Sequence, residues 1–130
     1  MYFQCNNALK IDLVRQEIER LRNEVTDSEY FYLLSLLLNA VSYVSNITGT
    51  YGAYLKYWDK RTFNELTLEE VDIQPSNVDC HCYNQNATDF ANQIECDLVY
   101  LDPPYNERQY MPNYHVLETI ARYDSPELKG

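Results

Sequence analysis

Glycine is scarce: 130 residues hold only three, Gly49, Gly52 and Gly130. None follows an apolar strand with an acidic residue about twenty positions further on, so the chain holds no Gly-rich loop of the dinucleotide-binding kind. Basic side chains are absent from residues 65–107, where ten acids fall, and the formal net charge of −10 arises entirely there. Such a surface repels phosphate, which excludes strong DNA binding by that stretch alone. Glu65, Glu69, Glu70 and Asp72 read as a solvated loop. No apolar run approaches the roughly 20 residues of a membrane span, and no signal peptide, internal repeat or low-complexity tract is present. Four cysteines are too few and too poorly spaced for a metal site: Cys80-His81-Cys82 has no second ligand pair, and Cys5 and Cys96 stand alone. Structural zinc is therefore not expected, and reduced thiols in a cytoplasmic protein are the simpler account.

What is present is concentrated in Asp97-Leu98-Val99-Tyr100-Leu101-Asp102-Pro103-Pro104-Tyr105. The run Leu98–Leu101 has the length and residue types of a buried strand. The two prolines stop it, because they lack N–H donors and fix φ. A carboxylate, rigid carbonyls and an aromatic ring are thereby set at a strand's C-terminal edge, where open α/β sheets bind ligands. An exocyclic amino group of a nucleobase is a poor nucleophile, since its lone pair is delocalised into the ring. Asp102 can accept one of its N–H groups and the Pro103 carbonyl the other, which stabilises the charge that grows during methyl transfer. Tyr105 offers a face for a base flipped from the stack. No metal or covalent intermediate is required. The competing reading of Asp-Pro-Pro-Tyr is a plain strand-terminating turn; the strand before it favours the functional one.

Asp102-Pro103-Pro104-Tyr105 resembles the catalytic motif of amino-methyltransferases that use S-adenosylmethionine. With Asn106-Glu107-Arg108-Gln109-Tyr110 and Asn113-Tyr114-His115-Val116-Leu117-Glu118-Thr119, the stretch is similar to Dam-type adenine-specific DNA methyltransferases. The similarity is strong over residues 84–124 and loose over 8–65. It implies that Asp102 and the Pro103 carbonyl bind the target amino group, that Tyr105 stacks on the base, and that Pro104 completes the rigid turn. Asn84-Gln85-Asn86-Ala87-Thr88-Asp89-Phe90 is similar to the segment in which the family's Asp contacts the cofactor adenine, which makes Asp89, with Asp102, a candidate cofactor contact. Thr88-Asp89 is equally a plain helix N-cap, and both readings stand. The departure is the missing Gly-rich turn, without which a backbone cannot approach the charged cofactor closely. The expectation is a piece of a longer enzyme, whose partners would be the remainder of the methyltransferase and DNA.

Upstream, Tyr51 to Arg61 interleaves aromatic and basic side chains after a turn-like Asn46–Thr50. The region resembles one through which the family contacts DNA, making Lys56, Lys60 and Arg61 candidate nucleic-acid contacts. The alternative is an ordinary edge with snorkelling lysines. Leu9, Leu13, Ile18, Leu21 and Val25 predict one amphipathic helix, with Arg15 off its apolar stripe. Thr26–Ser28 can cap a second helix through about Ile47, apolar on several faces. It reads as a core helix, or as a surface that pairs with missing protein or a second copy in a homo-oligomer. Tyr2-Phe3-Gln4 is left out of the fold as a tag remnant or native start.

The resulting expectation is an α/β chain, a partial Rossmann-like methyltransferase fold with a helical N-terminal half. Residues 1–77 form a helical and linker segment, a candidate target-recognition part. Residues 78–130 form part of the catalytic domain, with parallel strands around 80–83 and 98–101 and a helix after the motif, where His115 sits among sheet-packing neighbours. The implied activity is methyl transfer from S-adenosylmethionine to N6 of adenine in DNA, as in restriction–modification. The runner-up is methylation of a ribosomal RNA base, and a different class is a non-catalytic remnant acting as an interaction module.

Overall fold

The computed structural model describes residues 1–103 and 110–127. They divide into two compact units, one of residues 1–71 with the described residues from 110 onward, the other within 72–103.

The first unit is built on three helices, α1 (Cys5–Arg20), α2 (Asp27–Tyr43) and α4 (Tyr110–Arg122), and the second holds the short helix α3 (Ala87–Ala91). The start of α2 follows from a capping box. The Thr26 hydroxyl accepts from the Glu29 amide, and the Glu29 carboxylate accepts from the Thr26 amide at 2.8 Å. The Thr26 amide and, at 2.7 Å, the Thr26 hydroxyl both donate to the ionised Glu29 carboxylate and hold its carboxyl below the ordinary carboxylate range. Thr26→Ala is expected to cost about 1 kcal/mol, read as a lower urea midpoint, with Thr26→Ser recovering most of it; an unchanged midpoint would show that the cap contributes nothing.

Tyr30, Leu34, Leu37, Ala40 and Val41 of α2 form the centre of the core, with Ile11 and Ile18 of α1 against them. Val116, Leu117, Ile120 and Ala121 line the inner side of α4 at the spacing of one helical stripe. Pro112 lies in the first turn of α4, where a missing N–H costs nothing.

The inward face of α1 differs from the one its leucines mark. Leu9 and Leu13 are 61% and 55% exposed, whereas Asn7, Ile11, Arg15 and Ile18 point inward. Two polar residues hold their place there because every side-chain nitrogen and oxygen has a hydrogen-bond partner. Asn7 donates to the carbonyls of Thr62 (3.1 Å) and Asn64 (2.9 Å) and accepts from the Leu66 amide (3.2 Å). Arg15 donates to the Ile120 carbonyl at 2.8 Å, the Ala121 carbonyl at 3.3 Å, Glu19 at 2.9 Å and the Tyr30 hydroxyl at 3.1 Å. It thus caps the C-terminal carbonyls of α4 from inside the core, where a cation also complements the helix dipole.

Three further expectations are corrected. Tyr2 and Phe3 belong to the fold: both pack on the core, and the Tyr2 hydroxyl donates to the Tyr51 carbonyl at 2.7 Å. The second helix ends at Tyr43, and Ile47 instead forms an isolated antiparallel bridge with Tyr54. Residues 80–83 and 98–101 form no strand, and the described residues contain no sheet. Leu98 and Tyr100 are 87% and 86% exposed. An apolar run becomes a buried parallel strand only when neighbours supply both a hydrogen-bond ladder and cover on its two faces, and the described residues supply neither. The α/β expectation therefore meets a helical set of described residues. His115 lies on α4, which packs on helices rather than on a sheet.

Candidate active site

The candidate residues fall in both units. In the second, Asn86 caps α3: its side-chain oxygen accepts from the amides of Thr88 at 2.9 Å and Asp89 at 3.3 Å. The capping side chain is thus Asn86 rather than Thr88 or Asp89. Asp89 occupies the first turn, where the helix dipole favours a carboxylate. The rings of Tyr83 and Phe90 meet at 4.7 Å and brace the helix against the preceding segment. Asp102 and Pro103 lie in exposed chain without regular structure after the apolar run. Pro104 and Tyr105, the other two residues of the motif, lie outside the described residues, as do residues 106–109.

In the first unit, the aromatic and basic strip of residues 51–61 is held at several points. Gly49 has φ +128°, a conformation that side chains with a Cβ rarely adopt, and it reverses the chain before the strip. Tyr51 is buried, which pushes its hydroxyl above the usual tyrosine range, and its amide donates to the Asn113 carbonyl in the first turn of α4 at 2.7 Å. Gly52 lies so close to that turn that a Cβ there would meet the Asn113 side-chain oxygen at 3.1 Å. The Tyr2 ring stands edge-on to Tyr54 at 5.4 Å and to His115 at 5.9 Å. Lys56 and Lys60 are exposed beside the exposed rings of Tyr54, Tyr57 and Trp58. Arg61 differs from the two lysines: it is half-buried and donates to the Ile47 carbonyl.

Sequence reasoning missed Asn46, which ties this strip together. It is buried, and the sequence marks it only as the start of a turn-like segment. The cysteines are all free and exposed, and no metal-ligating cluster occurs among the described residues. No described helix is long and apolar enough to cross a membrane. A groove of about 400 Å³ lies elsewhere, between the start of α1 and residues 62–65; the lysine on its rim, Lys10, already pairs with Glu65 at 2.6 Å.

Residues 2–130 match the family profile described as D12 class N6 adenine-specific DNA methyltransferase. The chain is 48% identical to the type II methyltransferase M.FokI of Planomicrobium okeanokoites over 132 residues, covering 100% of this chain and 20% of that protein. It is 46% identical to the modification methylase StsI of Streptococcus sanguinis, covering 99% of this chain and 20% of that protein. It is 45% identical to the modification methylase LlaI of Lactococcus lactis subsp. lactis, covering 100% and 22%. The chain thus spans about one fifth of the length of these relatives. No solved structure matches it.

Proposed function

The chain belongs to the D12 class of N6 adenine-specific DNA methyltransferases, and on that premise we propose that it forms part of an enzyme that methylates N6 of adenine in DNA. The observation that carries this reading is the family match over residues 2–130, which includes Asp102-Pro103-Pro104-Tyr105. Methylation of a ribosomal RNA base and a non-catalytic remnant acting as an interaction module are not favoured by that match.

S-adenosylmethionine, the methyl donor general to such enzymes, supplies an electrophilic methyl group when bound. The residues present fit it in part. Asp89 offers a carboxylate that only accepts, as the exocyclic amino group of the cofactor's adenine requires. A Gly-rich turn for the rest of the group is absent from residues 1–130.

At the target, the Asp102 carboxylate and the Pro103 carbonyl each accept one N–H of the adenine amino group. Two fixed acceptors draw the nitrogen toward pyramidal geometry, free its lone pair from the ring, and stabilise the positive charge that develops on it. Proline at 103 and 104 keeps both acceptors in place without reorganisation. Tyr105 covers the extruded base. Residues 98–101 become a strand of the catalytic sheet once neighbouring strands pair with them. Lys56 and Lys60 neutralise backbone phosphates, which the acidic stretch 65–107 cannot do.

The Tyr105 role is tested in the full-length enzyme on duplex DNA at fixed salt. Tyr105→Ala is expected to weaken productive binding by about 1–3 kcal/mol, and Tyr105→Phe or Tyr105→Trp to retain most of it, because stacking needs only a π-face. Equal losses for alanine and tryptophan would rule out stacking. Methylation of structured RNA but not DNA would overturn the substrate.

A further inference from the structure

Asn46 sits at the junction of three chain segments and is 2% exposed. Its amide donates to the Tyr2 carbonyl at 2.7 Å, and its carbonyl accepts from the Leu55 amide at 2.9 Å. Its side-chain nitrogen donates to the carbonyls of Leu55 at 3.1 Å and Met1 at 3.3 Å. Its side-chain oxygen accepts from the Asp59 amide at 3.1 Å. Every polar group of the residue is engaged. A buried amide leaves such a network only at a cost, because each abandoned partner stays desolvated.

The partners bracket the strip. Leu55 and Asp59 stand on either side of Lys56-Tyr57-Trp58, and Asp59 caps the 3-10 turn Lys60–Phe63 by accepting from the Arg61 amide at 3.0 Å. No regular element spans residues 55–59, so hydrogen bonds to Asn46 replace the ladder that a hairpin would supply. The loop's outer side carries exposed Lys56, Tyr57 and Lys60, while its inner main chain is anchored to one buried side chain.

We propose that Asn46 is a positioning residue that holds the 54–60 loop in the shape that presents Lys56 and Lys60 to the sugar–phosphate backbone of DNA. The proposal rests on the reading of that loop as a DNA contact. Asparagine suits the position because one planar group must donate twice and accept once. Aspartate cannot donate to the Met1 and Leu55 carbonyls, and leucine can do neither.

The test uses the full-length enzyme, duplex DNA and a temperature well below the unfolding midpoint of each variant. Asn46→Ala is expected to raise Kd for DNA on the order of tenfold and to lower the salt slope by about 1 for each phosphate no longer neutralised, as expected of a phosphate-binding side chain. The rate constant for methyl transfer at saturating DNA should remain close to wild type. Ile18→Ala, a core change distant in sequence from the loop, should lower the midpoint and leave the salt slope unchanged. In a double-mutant cycle, Asn46→Ala and Lys56→Ala combined should weaken binding by less than the sum of the two, because each removes the same interaction with phosphate. Asn46→Ser is the milder variant should alanine not fold, and the same signs are expected.

Additive effects, or an Asn46 variant whose midpoint falls while its Kd and salt slope stay at wild type, would overturn the proposal and leave the adenine-methylation reading intact. Wild-type enzyme that neither binds nor methylates DNA would overturn both.

Discussion

Replacing Asp102 by alanine in the full-length enzyme is expected to lower kcat by about a hundredfold or more, the loss typical of one preorganised transition-state interaction. KM for DNA should change little, because flipping and stacking of the base depend on other groups. The reason lies in when the hydrogen bond reaches its full strength. The target amino group is nearly neutral before reaction and carries positive charge in the transition state. A carboxylate therefore binds the transition state better than the ground state, and that difference appears in kcat. Asp102→Asn should fail almost as badly, since its neutral amide oxygen can accept the N–H but brings no negative charge to offset the positive charge that develops on the nitrogen. Single-turnover kinetics with a labelled methyl donor provides the check. A raised KM with unchanged kcat would make Asp102 a binding residue only.

Arg15→Ala is expected to produce the largest loss of stability of any single change at a charged side chain among the described residues. Arg15 is 3% exposed and holds two carbonyls at the end of α4, the Tyr30 hydroxyl and Glu19. Its removal leaves the two carbonyls without this donor, leaves the Tyr30 hydroxyl with only its bond to Glu19, and opens a void beside the Tyr123 ring, which the guanidinium overlies at 4.5 Å. Breaking a buried charge pair costs roughly 3–5 kcal/mol, and the lower end applies because the Glu19 side chain is 44% exposed and rehydrates. Arg15→Lys should recover only part of this, since a single ammonium cannot match a planar fork with several acceptors. Arg20, exposed and paired with Glu17 and Glu24, is the control whose alanine variant should hardly move the midpoint. Urea denaturation of the three variants separates these outcomes. An Arg15→Ala midpoint equal to that of Arg20→Ala would show that the network does not hold α4.

The contrast between these residues explains what the sequence discloses. Thr26, three positions before Glu29, announces a helix start because capping chemistry is local. The Asp102 motif stands out because four adjacent residue types occur in one order after an apolar run, and the chemistry proposed for it would be carried by local sequence. The helix after it is expected as the element that follows the motif, and α4 starts at Tyr110. Asn7, Arg15 and Asn46 are not legible, because an apolar stripe counts polar residues as surface. Their burial depends on backbone carbonyls that come from 9 positions away, as with Asn46 and Leu55, to 106, as with Arg15 and Ala121. Leu9 and Leu13 mislead for the converse reason: leucine is a good helix former wherever it lies. Leu98–Leu101 expose the limit of strand reading, since an apolar run specifies a tendency and the ladder comes from elsewhere.

The central claim is tested most directly by digesting duplex DNA after incubation with the full-length enzyme and isotopically labelled S-adenosylmethionine, and identifying the labelled nucleoside by mass spectrometry. Label is expected in N6-methyladenine with wild-type enzyme and is expected to be lost with Asp102→Ala. Label on cytosine, label only in RNA, or undiminished N6-methyladenine with Asp102→Ala would contradict it.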